Sequence, residues 1–416
     1  MNGPNLVSLA WRNLWRQRRR TVLTLVSIAF GGFLAVMMTA MQDQSFADFI
    51  DNAAKFGSGH VTLENPAFRD TPALSKSVQH VDALRASAHE DPRVERVVDR
   101  TSGQAMISTA KDSFGGFFIA FDPELETEET MEFTQGIVSG KPFETASDDG
   151  ILLGHILAKN LGAELGDKVV YTLTDRNGEI VSGMERLSGT VNTGASSSDA
   201  ALVLLPIGAV RKVVGYAPTE STQVAVFLKD GRRAPQVASA LESRVGDDVS
   251  VLTWDELQPE IKAFVAMKIG GGRLFEMIIA VLVAAGIFNT IFMSVLERTR
   301  EFGIMLAIGY SPRQIFSMVM FESGFLAVLG LLGAAVVSAG PYSYLHGTGI
   351  DMTEVYAQQG GIDIGGVGMD PILRIGIYPE NAAAIAVLIV LATLAAGVYP
   401  AWRAGRVDPV ESINLV

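Results

Sequence analysis

Four apolar runs, each long enough to cross a bilayer, constrain this chain more than any other feature. Thr21–Gln42 contains 22 residues and no charge. As a helix rising 1.5 Å per residue it reaches about 33 Å, past a hydrocarbon core of about 30 Å. Met277–Leu296 and Asn381–Trp402 are likewise uncharged, and Ile315–Ala339 is interrupted only by Glu322. A carboxylate inside a span is costly in lipid, so Glu322 is expected to face a partner or a wet cavity. The sequence thus predicts an α-helical membrane protein with four transmembrane helices. A large mixed α/β extracytoplasmic domain is inserted between helices 1 and 2.

The arginines set the orientation. Arg12, Arg16, Arg18, Arg19 and Arg20 precede the first run, Arg298, Arg300 and Arg313 separate the second from the third, and Arg403 and Arg406 follow the fourth. The 340–380 segment carries only Arg374 against Asp351, Glu354, Asp363, Asp370 and Glu380. Both termini and the 297–314 loop are therefore expected in the cytoplasm of a multi-pass inner-membrane protein. Arg18-Arg19-Arg20 before an apolar run also fits a signal peptide. Its length, the lack of an A-x-A site and the three later spans favour a retained helix. Ahead of it, Leu6/Val7, Ala10/Trp11 and Leu14/Trp15 recur every four residues opposite Arg12 and Arg16, an amphipathic helix with tryptophan anchors for the headgroup layer.

This reading divides the chain into a cytoplasmic N-terminal helix (1–20), a first span with an outward extension (21–55), a periplasmic domain (56–255), and a second span with its own extension (256–296). A cytoplasmic coupling loop (297–314), a third span (315–339), an extracytoplasmic loop (340–380), a fourth span (381–402) and a cytoplasmic tail (403–416) complete it. In the insert, strands are expected at His60–Leu63, Lys168–Thr174, Ala201–Leu205 and Gln223–Leu228. Helices are expected at Val78–Ala88, Ile156–Leu161, Ile207–Val213 and Arg233–Arg244. Thr253-x-x-Glu256 fits a capping box, and Pro259 suits an early helical position. A helix from Pro259 to Leu296 would run about 57 Å, nearly half of it beyond the bilayer core.

Several classes are excluded. A net charge of −12 argues against a nucleic-acid partner. No cysteine is present, which removes disulfides and thiol chemistry. The five histidines lack metal-binding spacing, and Glu124, Glu126, Glu128, Glu129 and Glu132 read as a solvated acidic loop. No catalytic, cofactor or metal residue is assigned, and no G-x-x-x-x-G-K-[ST] occurs.

The segment Asn289–Gly309 reads N-T-x-x-M-S-V-x-E-R-T-R-E-F-G-x-x-x-A-I-G. It resembles the permeases of the ABC transporter superfamily that includes FtsX, MacB and the lipoprotein-releasing LolC/LolE proteins. Ser58-Gly-His-Val-Thr62, Ile151-Leu-Leu-Gly154, Gly166-Asp167-Lys168, Thr193-Gly194 and Thr253-Trp254 resemble the LolC/LolE branch. The resemblance implies a non-catalytic subunit whose loop residues Glu297, Arg298, Arg300, Glu301, Gly303, Ala307 and Gly309 dock into a separate cytoplasmic ATPase. Two copies of that ATPase, holding the ATP and Mg, would serve a permease homodimer or heterodimer. It also implies mechanotransmission that extracts lipoprotein or other amphipathic cargo from the outer leaflet, with a periplasmic carrier as a further partner. Met37, Met38, Met41, Phe46, Phe264, Met267 and Phe275 are the expected cargo lining, because methionine and phenylalanine repack around variable acyl chains. Two rivals stay open: an FtsX-like module that activates an extracytoplasmic hydrolase, and MacB-like efflux of peptides or drugs.

Overall fold

The apolar runs lie in helices longer than the runs themselves. In the computed structural model, which describes residues 6–127, 129–131, 136–358, 363–364, 367–368 and 372–408, four helices are long and apolar enough to cross a membrane. They contain Arg18–Ala53, Pro259–Glu297, Pro312–Thr348 and Pro379–Ala404. Glu128, Glu132 and Asp370, together with the tail beyond residue 408, lie outside the described residues. The chain forms two compact units. One comprises Met1–Ser45, Ala266–Ile350 and Leu373–Val416, and the other Phe46–Val265 and Asp351–Ile372.

In the membrane unit, small residues let the helices approach. Gly330, Ala334 and Ser338 are buried at helical spacing on the third long helix. A Cβ at Gly330 would lie 2.4 Å from Ile28 Cγ2 of the first, so any larger side chain would push the two helices apart. The third helix does not stop at Ala339 but continues through Pro341 to Thr348, so the 340–380 segment begins as helix. The absence of charge marks a stretch suited to lipid, whereas backbone hydrogen bonding can carry a helix further. The N-terminal helix, Leu6–Leu14, buries Ala10 and Leu14 within this unit, and Trp11 meets Phe325 edge-on at 5.2 Å.

The second unit is built on a ten-stranded sheet. Its strands are β1 (Val61–Glu64), β2 (Val94–Ser108), β3 (Ser113–Phe121), β4 (Ile137–Gly140), β5 (Gly150–Gly154), β6 (Lys168–Thr174), β7 (Ile180–Val191), β8 (Leu202–Pro206), β9 (Gln223–Leu228) and β10 (Ser250–Thr253). The order β10-β1-β9-β2 is antiparallel and interleaves two β-α-β units, whose helices are Val81–His89 and Ala234–Glu242. Beyond β2 the sheet runs through β3, β8, β5 and β7, and β6 pairs with both β7 and β2. That pairing closes a six-strand ring filled by Ile107, Phe118, Leu153, Val169, Tyr171, Leu187 and Val203. Only closure lets this many strands pair without leaving edges inside the ring.

The capping box forms at Thr253 and Glu256, where the Thr253 N–H donates to Glu256 Oε2 at 2.9 Å. It caps a single turn, Trp254–Leu257, and the chain leaves helical geometry at Gln258 before the long helix starts at Pro259.

Candidate functional site

The helix Thr299–Ala307 is too short to be stable alone in water, so it depends on what it packs against. Phe302 and Gly303 supply the inward face, and Phe302 is fully buried in the membrane-unit core. Gly309, at φ +105°, closes the helix in a left-handed conformation that only glycine adopts without strain. The Tyr310 N–H donates back to the Met305 carbonyl at 3.0 Å.

Arg298, immediately before this helix, is buried, and its Nη1 donates to both carboxylate oxygens of Glu322 at 3.0 Å. Its Nε donates to Glu301 at 3.3 Å, and its guanidinium lies 5.0 Å from the Phe302 ring centre. Glu322 also accepts from Asn13 Nδ2 at 3.1 Å. Arg16 pairs with Glu301 at 2.7 Å, and Arg20 with Glu297, which also accepts from Gln17. Three chain segments remote in sequence thus meet through one charged network. Beside it lies a cavity of about 120 Å³, lined by Asn13, Gln17, Thr21, Arg298, Glu301 and Glu322 and roomy enough for water. The buried Arg298 Nη2, which has no partner among the described residues, is suited to such a water.

The seven loop residues expected to dock an ATPase therefore separate. Glu297, Arg298 and Glu301 are engaged in the network, and Gly303 is buried. Arg300, Ala307 and Gly309 are exposed, together with Ile304 and Ile308. Positions 300, 304, 307 and 308 recur at helical spacing and form one outward face. Asn13 has no local signature, since an asparagine in an amphipathic helix carries no mark of a partner about three hundred residues away.

The candidate cargo positions are scattered between the units. In the membrane unit, Met37, Met38 and Met41 are half-buried, whereas Met267 and Phe275 are more than half exposed. In the other unit, Phe46 is half-buried and Phe264 packs on Phe49 with ring centres 5.4 Å apart. Asp43 accepts from the Tyr378 N–H at 2.9 Å and from Asn381 Nδ2 at 2.7 Å, at the start of the fourth long helix. Glu276 accepts from the buried Thr39 hydroxyl at 2.7 Å. Among the described residues no group of acidic and histidine side chains could hold a metal.

The family model for the MacB-like periplasmic core domain matches residues 21–244, and that for the FtsX-like permease C-terminal region matches residues 274–409. The chain is an ABC transporter permease of the FtsX/MacB/LolC–LolE superfamily. The permease is 24% identical over 98% of its length to the pyoverdine export ATP-binding/permease protein PvdT of Pseudomonas savastanoi pv. phaseolicola, but spans only 59% of that relative. It is 23% identical, over the whole of both chains, to the lipoprotein-releasing system transmembrane protein LolC of Xylella fastidiosa. The periplasmic region of MacB from Actinobacillus actinomycetemcomitans overlays 51% of the permease and 97% of its own chain, with 14% identity and a TM-score of 0.35. That overlay is too loose to support the assignment, which rests on the family matches.

Proposed function

We propose that this permease relays force generated by a cytoplasmic ABC ATPase to an extracytoplasmic domain that extracts lipoprotein or other amphipathic cargo from the outer leaflet of the inner membrane. The observation that carries the reading is the two-sided loop helix. One side is held by Arg298, Glu322 and Asn13, and the other presents Arg300, Ile304, Ala307 and Ile308. A helix gripped in this way moves with the third span when its free face is pushed. The arginine distribution supports a cytoplasmic position for this face and both termini. ATP and Mg belong to two ATPase copies beneath a permease dimer, and this chain binds neither.

The long helices Arg18–Ala53 and Pro259–Glu297 are the stalks of the relay. In the α/β unit, the Leu228 N–H donates to His60 Nδ1 at 3.0 Å, which leaves Nε2–H to donate to Asp51 at 2.9 Å. That histidine ties the end of the first stalk to the sheet. Met37, Met38, Met41, Phe46, Phe264, Met267 and Phe275 are the cargo-facing positions of this reading, and a periplasmic carrier receives what is released.

The similarity to PvdT, named for pyoverdine export, supports a second reading, MacB-like efflux of peptides or drugs. A lipoprotein with a photoreactive acyl chain separates the two. Labelling at Met41 or Phe264 that increases with ATP supports extraction, and its absence from a complex that still turns over ATP refutes it. Arg300→Glu should abolish ATPase stimulation with the fold intact, and unchanged stimulation would refute the docking face.

A further inference from the structure

The α/β unit contains a cleft remote in sequence from the loop helix and its charged network. A cleft of about 770 Å³ opens between the β1–β2 region and the loops around it. Phe56, Phe68, Leu74, Phe117, Ile119 and Leu257 make its walls largely apolar. Glu64, at the end of β1, lines this cleft and is only 3% exposed. Its Oε1 is fully buried and accepts no hydrogen bond among the described residues. Gln258 lines the same cleft with its Nε2 turned toward the Ala53 carbonyl at 3.4 Å and Ser58 Oγ at 3.5 Å, and its buried Oε1 is likewise without a donor.

Two buried acceptors without donors in one apolar cleft are costly unless something supplies N–H groups. The other charged liners do not fill that role. Arg69 is exposed and donates to the Glu256 carbonyl at 2.9 Å. Asp175 is already satisfied by the N–H groups of Asn177 and Glu179, both at 2.8 Å. Burial raises the Glu64 carboxyl to about 7, against a weaker opposing pull from Arg69. The group is therefore poised near neutrality, where a bound cation would draw it into its charged form.

The cleft continues into a shallower one of about 570 Å³ that shares Gln104, Phe117 and Thr174. Met106, Phe117 and Ile180 line this extension, and each is more than a third exposed. An apolar tail thus has a track leading away from the two acceptors.

We infer that this cleft binds an amphiphile with a protonated amine, its ammonium donating to Glu64 and Gln258 and its apolar chain lying along Phe117 and Met106. An ammonium has three donors and no acceptor, which suits two buried oxygens better than a hydroxyl does. Loss of the carboxylate's charge should weaken capture by about tenfold or more.

The test uses the full chain in lipid nanodiscs with a diazirine-bearing dodecylamine at pH 8, and adducts mapped by mass spectrometry. The expected adducts fall on residues 56–75 and 102–119. They are competed by unlabelled dodecylamine but not by dodecanol, and they drop about tenfold in Glu64→Gln. Phe117→Ala, which alters the track and spares both acceptors, should lower labelling by a smaller factor. Undiminished labelling in Glu64→Gln, equal competition by dodecanol, or adducts confined to the spanning helices would each overturn the inference. Thermal unfolding of each variant confirms that the fold is retained.

Discussion

The two units bury charge in contrasting ways. In the α/β unit, Arg100 is fully buried, donates through Nε to Glu126 at 2.7 Å, and has both flanking strands packed around it. In the membrane unit, Arg298 and Glu322 are less completely buried and lie beside a cavity large enough for water, in a network that continues outward to Arg16 and Glu301. A fully buried pair packed between strands is a structural fixture, and breaking it strands a charge. A pair that borders a cavity and ends at a surface helix can shift its partners with less penalty, which suits the proposed relay.

That contrast can be broken by experiment, beginning with the largest expected effect. Arg100→Ala should destabilise the α/β unit by about 3–5 kcal/mol, measured as a fall in its unfolding midpoint. If the loss matches that of an ordinary surface change, the pair is not the fixture described. Glu322→Ala should cost less, about 2 kcal/mol, because the adjoining cavity is large enough for water to solvate Arg298. Its larger consequence should be lost coupling between ATP turnover and transport. Glu322→Gln, which retains an acceptor for Asn13 and Arg298, should recover stability more fully than coupling, and equal recovery of both would remove the case for a charged joint.

Glu64→Gln should act in the opposite direction and depend on pH. An acid whose folded value is raised, here from 4.5 to about 7, destabilises the fold as pH rises through that window. The variant should match the parent below pH 4.5 and be more stable by about 2 kcal/mol above pH 7. Chemical denaturation at pH 4 and pH 8 checks the sign, and an equal difference at both would refute it. The smallest effect, about 1 kcal/mol, is expected for Thr253→Ala, which removes one half of the capping box before the long helix. Unchanged unfolding of the α/β unit would show that this turn is not needed to launch the stalk.

Part of the fold was legible because its signals are local. Strands β6 and β9 fall where apolar alternation and β-branched residues predict them, and the helices near 81–89, 207–214 and 234–242 follow their 3.6-residue periods. Strand β2, fifteen residues long, has no local signal of its own. It carries Glu95, Arg96, Asp99 and Arg100, charges suited to a strand only because Asp99 meets Arg85 and Arg211 and Arg100 meets Glu126. Strand β3 hid behind Gly115-Gly116, and a Cβ at Gly116 would sit 3.0 Å from the Ala201 carbonyl of the neighbouring segment. Neither reason can be read within a window of ten residues.

By itself the sequence determined where lipid-compatible helices run, that Glu322 requires a partner, and to which superfamily the loop motif belongs. Those properties depend on composition and spacing along the chain, and a bilayer or a short motif reads them directly. Only tertiary structure decided which partner Glu322 takes, which side of the 299–307 helix remains free, and that Glu64 and Gln258 line one cleft. Each of those results depends on side chains brought together from distant segments, and no local pattern encodes the distance between them.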